Sequence, residues 1–298
     1  MHVFYTPDIQ ISNELPEEEA QHCTRVLRLG IGDEITLTDG KGYFYQAEIT
    51  VATNKRCLVA IKETIFQEPL WPCHLHIAMA PTKNMDRNEW FAEKATEIGF
   101  DELTFLNCRF SERKVIKAER IEKILISAIK QSLKARLPKL NEMTDFDKFI
   151  TQEFKGQKFI AHCYEGEKPL LKNILKAGED ALVLIGPEGD FSEEEVKKAI
   201  ECGFTPISLG KSRLRTETAA LVAKKMISRL SVLAVLMVFL AACSKQTEYT
   251  NVIPADATAV ASIDLKSLAN KAGMNDKENE AAKQKLLEAL KSGMNAAT

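Results

Sequence analysis

Ala181-Leu-Val-Leu-Ile185, followed by Gly186-Pro-Glu-Gly189 and Asp190-Phe-Ser-Glu-Glu-Glu195, is the stretch that decides the fold. Five consecutive apolar residues predict a strand that is buried on both faces, as in a parallel sheet. Ser192 followed three residues later by Glu195 predicts a capping box at the start of a helix. The stretch therefore predicts one strand–loop–helix unit of a parallel α/β sheet.

A second unit follows within twenty residues. Thr205-Pro-Ile-Ser-Leu209 predicts a short strand, and Gly210-Lys-Ser-Arg-Leu-Arg-Thr-Glu-Thr218 predicts a loop that runs into a helix capped by Thr216. Neither loop contains GxGxxG or GxxxxGK[ST], so neither is a nucleotide phosphate cradle. Since α/β sheets bind ligands at the carboxyl ends of their strands, the two loops predict a ligand site.

The N-terminal part has a different pattern. Strands are predicted at Glu34–Thr38, Tyr43–Val51 and Arg56–Glu63, the first two joined through an Asp-Gly turn. Short strands at this spacing predict a small β-barrel domain over residues 1–68. From His74 onward, strands and helices alternate, which predicts a parallel-sheet domain over residues 74–225.

Composition sets limits on the function. Of the 298 residues, 45% are hydrophobic and 28% are charged, as in soluble globular proteins. The net charge of −2 gives no overall positive field, so any RNA contact must come from local patches. The seven cysteines include no CxxC pair, so neither a metal site nor a disulfide framework is predicted. Residues 1–225 are therefore expected to be cytoplasmic and reduced.

The paired motifs resemble one family closely. Gly186-Pro-Glu-Gly189, about twenty residues before Leu209-Gly-x-x-x-Leu-Arg-Thr-Glu-Thr-Ala219, is similar to the RsmE family of 16S ribosomal RNA uracil-N3 methyltransferases, of the SPOUT superfamily. The resemblance covers roughly residues 1–224. It implies a trefoil-knotted, parallel-sheet α/β methyltransferase domain with a small N-terminal PUA-like β-barrel domain. It also implies a homodimer that uses S-adenosylmethionine (SAM) to methylate a uridine, position 1498 by family convention, in the small ribosomal subunit.

The resemblance assigns SAM to the two motif loops and to the turn after the predicted strand at Lys158–Cys163. The residues expected to bind the cofactor are His162, Gly186, Pro187, Glu188, Gly189, Leu209, Gly210, Leu214, Thr216 and Thr218. Because the sulfonium already activates the methyl group, no metal is needed.

Arg215 and Glu217 are the predicted catalytic residues. Uracil N3 attacks well only after losing its proton, so a base and a positive charge near O2 or O4 assist the reaction. Glu217 can accept the proton, and Arg215 can stabilise the anion. Two alternatives stay open: the two side chains form a structural pair at the last helix, or Glu188 is the base.

N3 lies on the Watson–Crick edge, so the target uridine must be unpaired or flipped out. Basic residues must then hold the RNA backbone, although any one basic cluster is often a solvated face. His22, Arg25 and Arg28 recur every three residues along a helix predicted at Glu17–Leu29. The predicted RNA-binding residues are His22, Arg25, Arg28, Arg109, Arg113, Gln131 and Arg136.

The resemblance to the methyltransferases stops after Ala223. An apolar run at Leu230–Phe239, then Leu240-Ala-Ala-Cys243, resembles a bacterial lipoprotein signal, so residues 226–298 look like a fused lipoprotein start. Alternatively, Ile227–Leu240 serves as the last helix of the enzyme. A membrane partner is expected only if this segment is a separate lipoprotein.

Three other functions remain open from the sequence. The chain can be a SPOUT methyltransferase that acts on another RNA. It can be a non-catalytic RNA-binding protein, if the altered C-terminus disables the SAM site. The whole chain can also be a membrane lipoprotein.

Overall fold

The computed structural model describes residues 2–53, 55–176, 178–224 and 226. Its N-terminal part contains four strands: β1 (Val3–Tyr5), β2 (Glu34–Thr38), β3 (Tyr43–Ala52) and β4 (Cys57–Phe66). They pair in the order β1-β2-β3-β4, with β1 parallel to β2 and the other pairs antiparallel. All three strands predicted from alternation are present, with ends that shift by up to three residues.

The predicted helix over residues 17–29 is wrong in its second half. Helix α1 (Glu17–Gln21) passes into a π-helical turn (His22–Val26), and Arg28 has a φ of +57°. Arg28 takes the left-handed conformation that usually follows a helix end. Because the π turn widens the helical repeat, the three-residue spacing of the basic residues does not place them on one α-helical face.

The second sheet is parallel throughout and has seven strands. They are β5 (Leu75–Met79), β6 (Glu102–Asn107), β7 (Lys139–Leu140), β8 (Thr144–Asp145), β9 (Gln157–Ala161), β10 (Ala181–Ile185) and β11 (Thr205–Ile207). The order is β11-β9-β10-β5-β6-β7, and β8 also pairs with β6. The predicted parallel sheet is therefore confirmed, with β10 at its centre.

Helices cover both faces of this sheet. In the described part of the chain they are α2 (Met85–Ile98), α3 (Ala118–Gln131), α4 (Phe146–Ile150), α5 (Leu171–Ile174), α6 (Glu193–Glu201) and α7, over residues 216–224. On β10, Val183 and Ile185 belong to one core cluster, and Leu182 and Leu184 belong to the cluster on the opposite face. Burial on both faces explains why β10 is apolar without alternation.

The two helix starts predicted in the motifs have different outcomes. At α6 the capping box is present: Glu195 N donates to Ser192 Oγ at 3.3 Å, and Ser192 N donates to Glu195 Oε2 at 2.8 Å. At α7, Ala219 N donates to the carbonyl of Arg215 at 2.7 Å, so the cap position is Arg215. The expectation that Thr216 caps this helix is wrong, because its hydroxyl has a different partner.

The segment after α3 connects the two sheets. Gly42 N donates to Ala135 O at 2.8 Å, Leu137 N donates to Gly40 O at 2.8 Å, and Ala135 N donates to Gln67 Oε1 at 2.7 Å. The turn between β2 and β3 is thus bonded to the parallel-sheet part. Within the residues described, no helix has the length and apolar character needed to cross a membrane.

Candidate active site

Three loops meet at the carboxyl edge of the parallel sheet. They follow β9 (residues 162–169), β10 (186–191) and β11 (208–215). Because β9 lies between β10 and β11, the loop that begins at His162 separates the two motif loops. The sequence predicts this edge as the ligand site, and the strand order brings all three expected SAM-binding segments to it.

The 186–189 loop is half buried. Gly186 and Pro187 are buried, whereas Glu188 and Gly189 are exposed. A Cβ on Gly186 would lie 3.0 Å from Phe191 Cδ2, so a larger residue here would force Phe191 to shift by a few tenths of an ångström. A Cβ on Gly189 would meet only Phe110 Cβ, at an ordinary 3.5 Å. Of these two glycines, only Gly186 is closely approached by another residue of the described chain.

Asp190 ties this loop to its neighbour, a role that the sequence did not reveal. Its φ is +69°, and its carboxylate accepts hydrogen bonds from Cys163 N at 2.6 Å and from Phe191 N at 2.8 Å. Asp190 N in turn donates to Pro187 O at 2.9 Å. One side chain thus sets the relative position of two of the three loops.

Thr216 joins the loop after β11 to the loop after β10. Its buried hydroxyl donates to the carbonyl of Gly186 at 3.1 Å. The start of α7 is therefore fixed against the start of the 186–189 loop, and residues from both motifs form one site.

Arg87, on α2, lies between the two acidic residues of the motifs. Its Nη1 is 3.2 Å from Glu188 Oε1, and its Nε is 3.9 Å from Glu217 Oε1. Glu188 also accepts a hydrogen bond from Lys83 N at 3.1 Å. These contacts give Glu188 a bracing role, as expected if it is not the base.

Glu217 is buried, with 6% of its surface exposed. Its Oε2 atom has no hydrogen-bond partner among the described residues. A buried carboxylate oxygen without a donor is costly, so it requires a donor from outside this part of the chain.

Arg215 is exposed, and its side chain has no ion-pair partner in the part of the chain that is described. The alternative in which Arg215 and Glu217 pair with each other is not the geometry observed, because Glu217 pairs with Arg87. The guanidinium of Arg215 is therefore available to a ligand.

The other expected SAM-binding residues line the same edge. Gly210 has a φ of +144°, and no atom would lie within 4 Å of a Cβ there. Leu209, Leu214 and Thr218 are partly buried. Among the described residues, the backbone amides of Leu209 and of 211–214 have no acceptor, whereas Gly210 N donates to Ser208 Oγ at 3.3 Å. The loop therefore offers amide donors to a ligand.

His162 lies on the middle loop and is partly buried. Its ring is 5.7 Å from the ring of Tyr164, and its Nδ1 is 3.5 Å from Lys168 Nζ. Burial lowers the pKa of His162, Lys168 lowers it further, and Asp190 acts in the opposite direction. The environment of the ring therefore favours its neutral form.

The predicted RNA-binding residues fall into separate places. Arg25, Arg28, Arg109, Gln131 and Arg136 are exposed. The guanidinium of Arg136 is 5.5 Å from the ring of Phe66, next to the turn that joins the two sheets. Arg109 is the member of this set that directly follows a strand of the parallel sheet.

Three of the predicted residues have partners within the chain. The guanidinium of Arg109 is ion-paired with Glu194. The ring of His22 lies 5.9 Å from that of Phe4. Arg113 donates from Nη2 to Lys83 O at 2.6 Å and from Nε to Thr82 O at 3.3 Å. Arg113 therefore supports the loop before α2, close to the backbone amide that binds Glu188.

Among the described residues, no group of three or more His, Cys, Asp and Glu side chains is placed to hold a metal ion. The predicted lipoprotein-like segment, apart from residue 226, lies outside the described residues and stays a prediction.

Family models match three parts of the chain. An RNA methyltransferase PUA domain matches residues 15–62, and an RNA methyltransferase domain matches residues 69–228. A domain of unknown function, DUF4836, matches residues 249–298. The change of family after residue 228 falls where the sequence resemblance also stops.

Curated relatives carry the same name. Ribosomal RNA small subunit methyltransferase E of Buchnera aphidicola is 30% identical over 216 residues, covering 70% of this chain and 84% of that protein. The protein of that name from Bacillus subtilis is 28% identical, covering 71% of this chain and 87% of that protein.

Solved structures agree with these matches. A probable rRNA-methyltransferase from Porphyromonas gingivalis is 44% identical, with a TM-score of 0.75, and the match covers 78% of this chain and 100% of that one. Ribosomal RNA small subunit methyltransferase E from Neisseria gonorrhoeae, bound to S-adenosyl methionine, is 28% identical, with a TM-score of 0.67, covering 77% of this chain and 98% of that one. From its fold, its paired motifs and these matches, the chain belongs to the RsmE family of RNA methyltransferases.

Proposed function

We propose that this chain transfers a methyl group from SAM to N3 of a uridine in the 16S rRNA of the small ribosomal subunit, at position 1498 by family resemblance. The observation that carries this proposal is the buried Glu217 carboxylate, which has one oxygen without a hydrogen-bond partner in the described chain. A proton on uracil N3 is the donor that this oxygen lacks.

The carboxyl edge of the sheet fits SAM. The free amides of Leu209 and residues 211–214 are donors for the edge of a nucleoside. The exposed Gly189 and Gly210 leave room for a ligand to approach the backbone. When bound, SAM supplies a methyl group already activated by its sulfonium.

Residues of the chain itself activate the uracil that accepts the methyl group. Glu217 Oε2 accepts the proton from N3, and Arg87 holds the other oxygen of that carboxylate in place. The exposed Arg215 guanidinium stabilises the negative charge that develops on O2 or O4. Placing N3 in line with the methyl group lowers the activation barrier further.

The RNA must present an unstacked base, because N3 is on the Watson–Crick edge. We assign the contacts with its phosphates to the exposed Arg25, Arg28, Arg109 and Arg136, with Gln131 beside them. His22 and Arg113, which have partners within the chain, act by shaping this surface. Arg109 is ion-paired with Glu194, so it must exchange this exposed partner for a phosphate when RNA binds.

We propose three parts for the protein. Residues 1–68 form the PUA-like RNA-binding domain, residues 74–225 form the methyltransferase domain, and residues 226–298 form a fused lipoprotein-like segment. The methyltransferase domain is knotted and forms a homodimer. Because its substrate is ribosomal RNA, the enzyme works in the cytoplasm.

Methyl transfer from radiolabelled SAM tests this function. The substrate is small ribosomal subunits from a strain that lacks the modification, and the expected result is label in 16S rRNA. Glu217→Gln should slow transfer about 100-fold or more, with unchanged SAM affinity in calorimetry. The exposed acid Glu201, replaced by Gln, is the matched control. SAM binding without methyl transfer to any RNA would contradict the proposed function. Label in an RNA other than 16S rRNA would show that the enzyme has a different substrate.

A further inference from the structure

The aromatic side chain of Phe110 is exposed to solvent beside the proposed active site. It lies in the loop that follows β6, and 47% of its surface is exposed. Since β6 pairs with β5 and β5 pairs with β10, this loop lies at the same carboxyl edge as the 186–189 loop. Phe110 Cβ lies 3.5 Å from the position of a Cβ on Gly189.

The backbone around Phe110 is braced from several sides. Ser111 N donates to Cys108 O at 3.1 Å, and Cys108 N donates to Ser111 Oγ at 3.0 Å. Arg109 N donates to Glu195 Oε1 at 2.8 Å, which connects the loop to the first turn of α6. Lys114 Nζ donates to Cys108 O at 2.9 Å. The backbone that carries Phe110 is therefore held in place.

One cationic group lies against the ring. The Cζ atom of Arg109 is 5.7 Å from its centroid, and the same guanidinium is ion-paired with Glu194. An exposed aromatic ring beside an arginine is an arrangement that binds an unstacked base.

We propose that Phe110 is the surface on which the target base stacks after it leaves its own helix. This inference rests on the proposed function, since only a reaction on the Watson–Crick edge requires the base to be unstacked. The flipped base loses its stacking neighbours, and the phenyl ring replaces one of them next to the loop proposed to hold SAM. An apolar contact with a protein surface is the competing use of the ring.

Three variants of the full-length chain test the inference. Phe110→Leu removes the aromatic face, Phe110→Tyr retains it, and Val115→Ala changes another exposed apolar residue of the same loop. Single-turnover methyl transfer to unmodified small subunits should fall about 10- to 100-fold in Phe110→Leu. Phe110→Tyr and Val115→Ala should stay close to wild type, with SAM affinity and melting temperature unchanged in all three.

Several outcomes would overturn the inference. They are an equal loss in Phe110→Leu and Phe110→Tyr, a loss of SAM affinity that matches the loss of transfer, or wild-type transfer by Phe110→Leu. A change in sedimentation of Phe110→Leu alone would identify a protein contact instead. If the wild-type chain neither binds nor methylates the subunits, the proposed function is wrong. That result is seen in the wild type alone, whereas the role of Phe110 is judged from differences between the variants and the wild type.

Discussion

The hydroxyl of Thr216 donates a hydrogen bond to the carbonyl oxygen of Gly186 at 3.1 Å, although thirty residues separate them. Both groups are buried, so the bond is made without competition from water. It fixes the start of α7 against the 186–189 loop. The two motifs therefore act as one structural unit.

Removing this bond should loosen the site. In Thr216→Val the shape is kept, but the Gly186 carbonyl loses its donor, which costs about 1–3 kcal/mol of stability for a buried group. We expect a lower melting temperature and weaker SAM binding in calorimetry. Thr216→Ser keeps the hydroxyl, so it should retain most of the melting temperature and most of the SAM affinity. Equal losses in the two variants would show that the methyl group of Thr216, and not its hydrogen bond, stabilises the site.

The two glycines of the 186–189 loop should respond differently to substitution. A side chain at Gly186 presses on Phe191, which is fully buried, so Gly186→Val should lower the melting temperature. A Cβ at Gly189 would meet only Phe110 Cβ, at an ordinary 3.5 Å, so Gly189→Val should leave the melting temperature unchanged and weaken SAM binding. Unchanged SAM affinity in Gly189→Val would remove this loop from the cofactor site.

Arg215 should affect chemistry more than cofactor binding. Its side chain is exposed and unpaired in the described chain, and its proposed partner is the uracil anion. Arg215→Ala should slow single-turnover transfer about 100- to 1000-fold, as for other donors to a developing anion. Arg215→Lys keeps the charge and should recover part of the rate. A parallel loss of SAM affinity would instead place Arg215 at the cofactor.

Arg25 and Arg28 should contribute to RNA affinity through charge alone. Both are exposed, although they do not share one helix face. Replacing both with Ala should reduce the dependence of RNA affinity on salt by about two phosphate contacts. The exposed pair Lys155 and Lys172, changed in the same way, is the control. An unchanged salt slope would return both arginines to a solvated surface.

His76 should make the fold sensitive to acid. Burial lowers its pKa to about 4, against the opposing effect of Glu102, and its Nε2 lies 2.8 Å from Thr104 Oγ1. The unfolded chain binds this proton near pH 6.5 and the folded chain does not. Stability from this group is therefore present above pH 6.5 and is lost as pH falls to about 4, by up to about 3 kcal/mol.

Its neighbours act in other pH ranges. The hydrogen bond between Glu102 and His74 lowers the pKa of Glu102. The stability that Glu102 contributes is therefore lost only at pH values below the pKa of a glutamate in the unfolded chain. The same bond raises the pKa of His74, so the stability that His74 contributes is lost as the pH rises. Denaturant unfolding of wild type and His76→Gln from pH 7 to 4 checks this account. Parallel pH profiles of the two proteins would refute it.

Local signals explain what the sequence could predict. The apolar run of β10 and the Ser192–Glu195 capping box are each encoded within a few residues, and both are present as predicted. The π turn at His22–Val26 was missed because its residues fit an α-helical pattern equally well. The Thr216 cap was missed because a partner thirty residues away took its hydroxyl.

Contacts between distant residues explain what the sequence could not predict. Arg87 contacts Glu188 across 101 positions, and nothing near Arg87 signals that partner. Asp190 reaches Cys163 through a left-handed backbone conformation that its sequence context does not require. The family motif identified Arg215 and Glu217 as a pair in sequence, but only the fold shows that Arg87 lies against Glu217.

Reverse transcription through 16S rRNA tests the central claim most directly, because a methyl group on N3 blocks Watson–Crick pairing. Unmodified small subunits are incubated with the full-length chain, with and without SAM. The account predicts one new stop that depends on SAM, at uridine 1498, and its loss in Glu217→Gln. A stop at another nucleotide, or methyl incorporation that leaves every uridine able to pair, would contradict it.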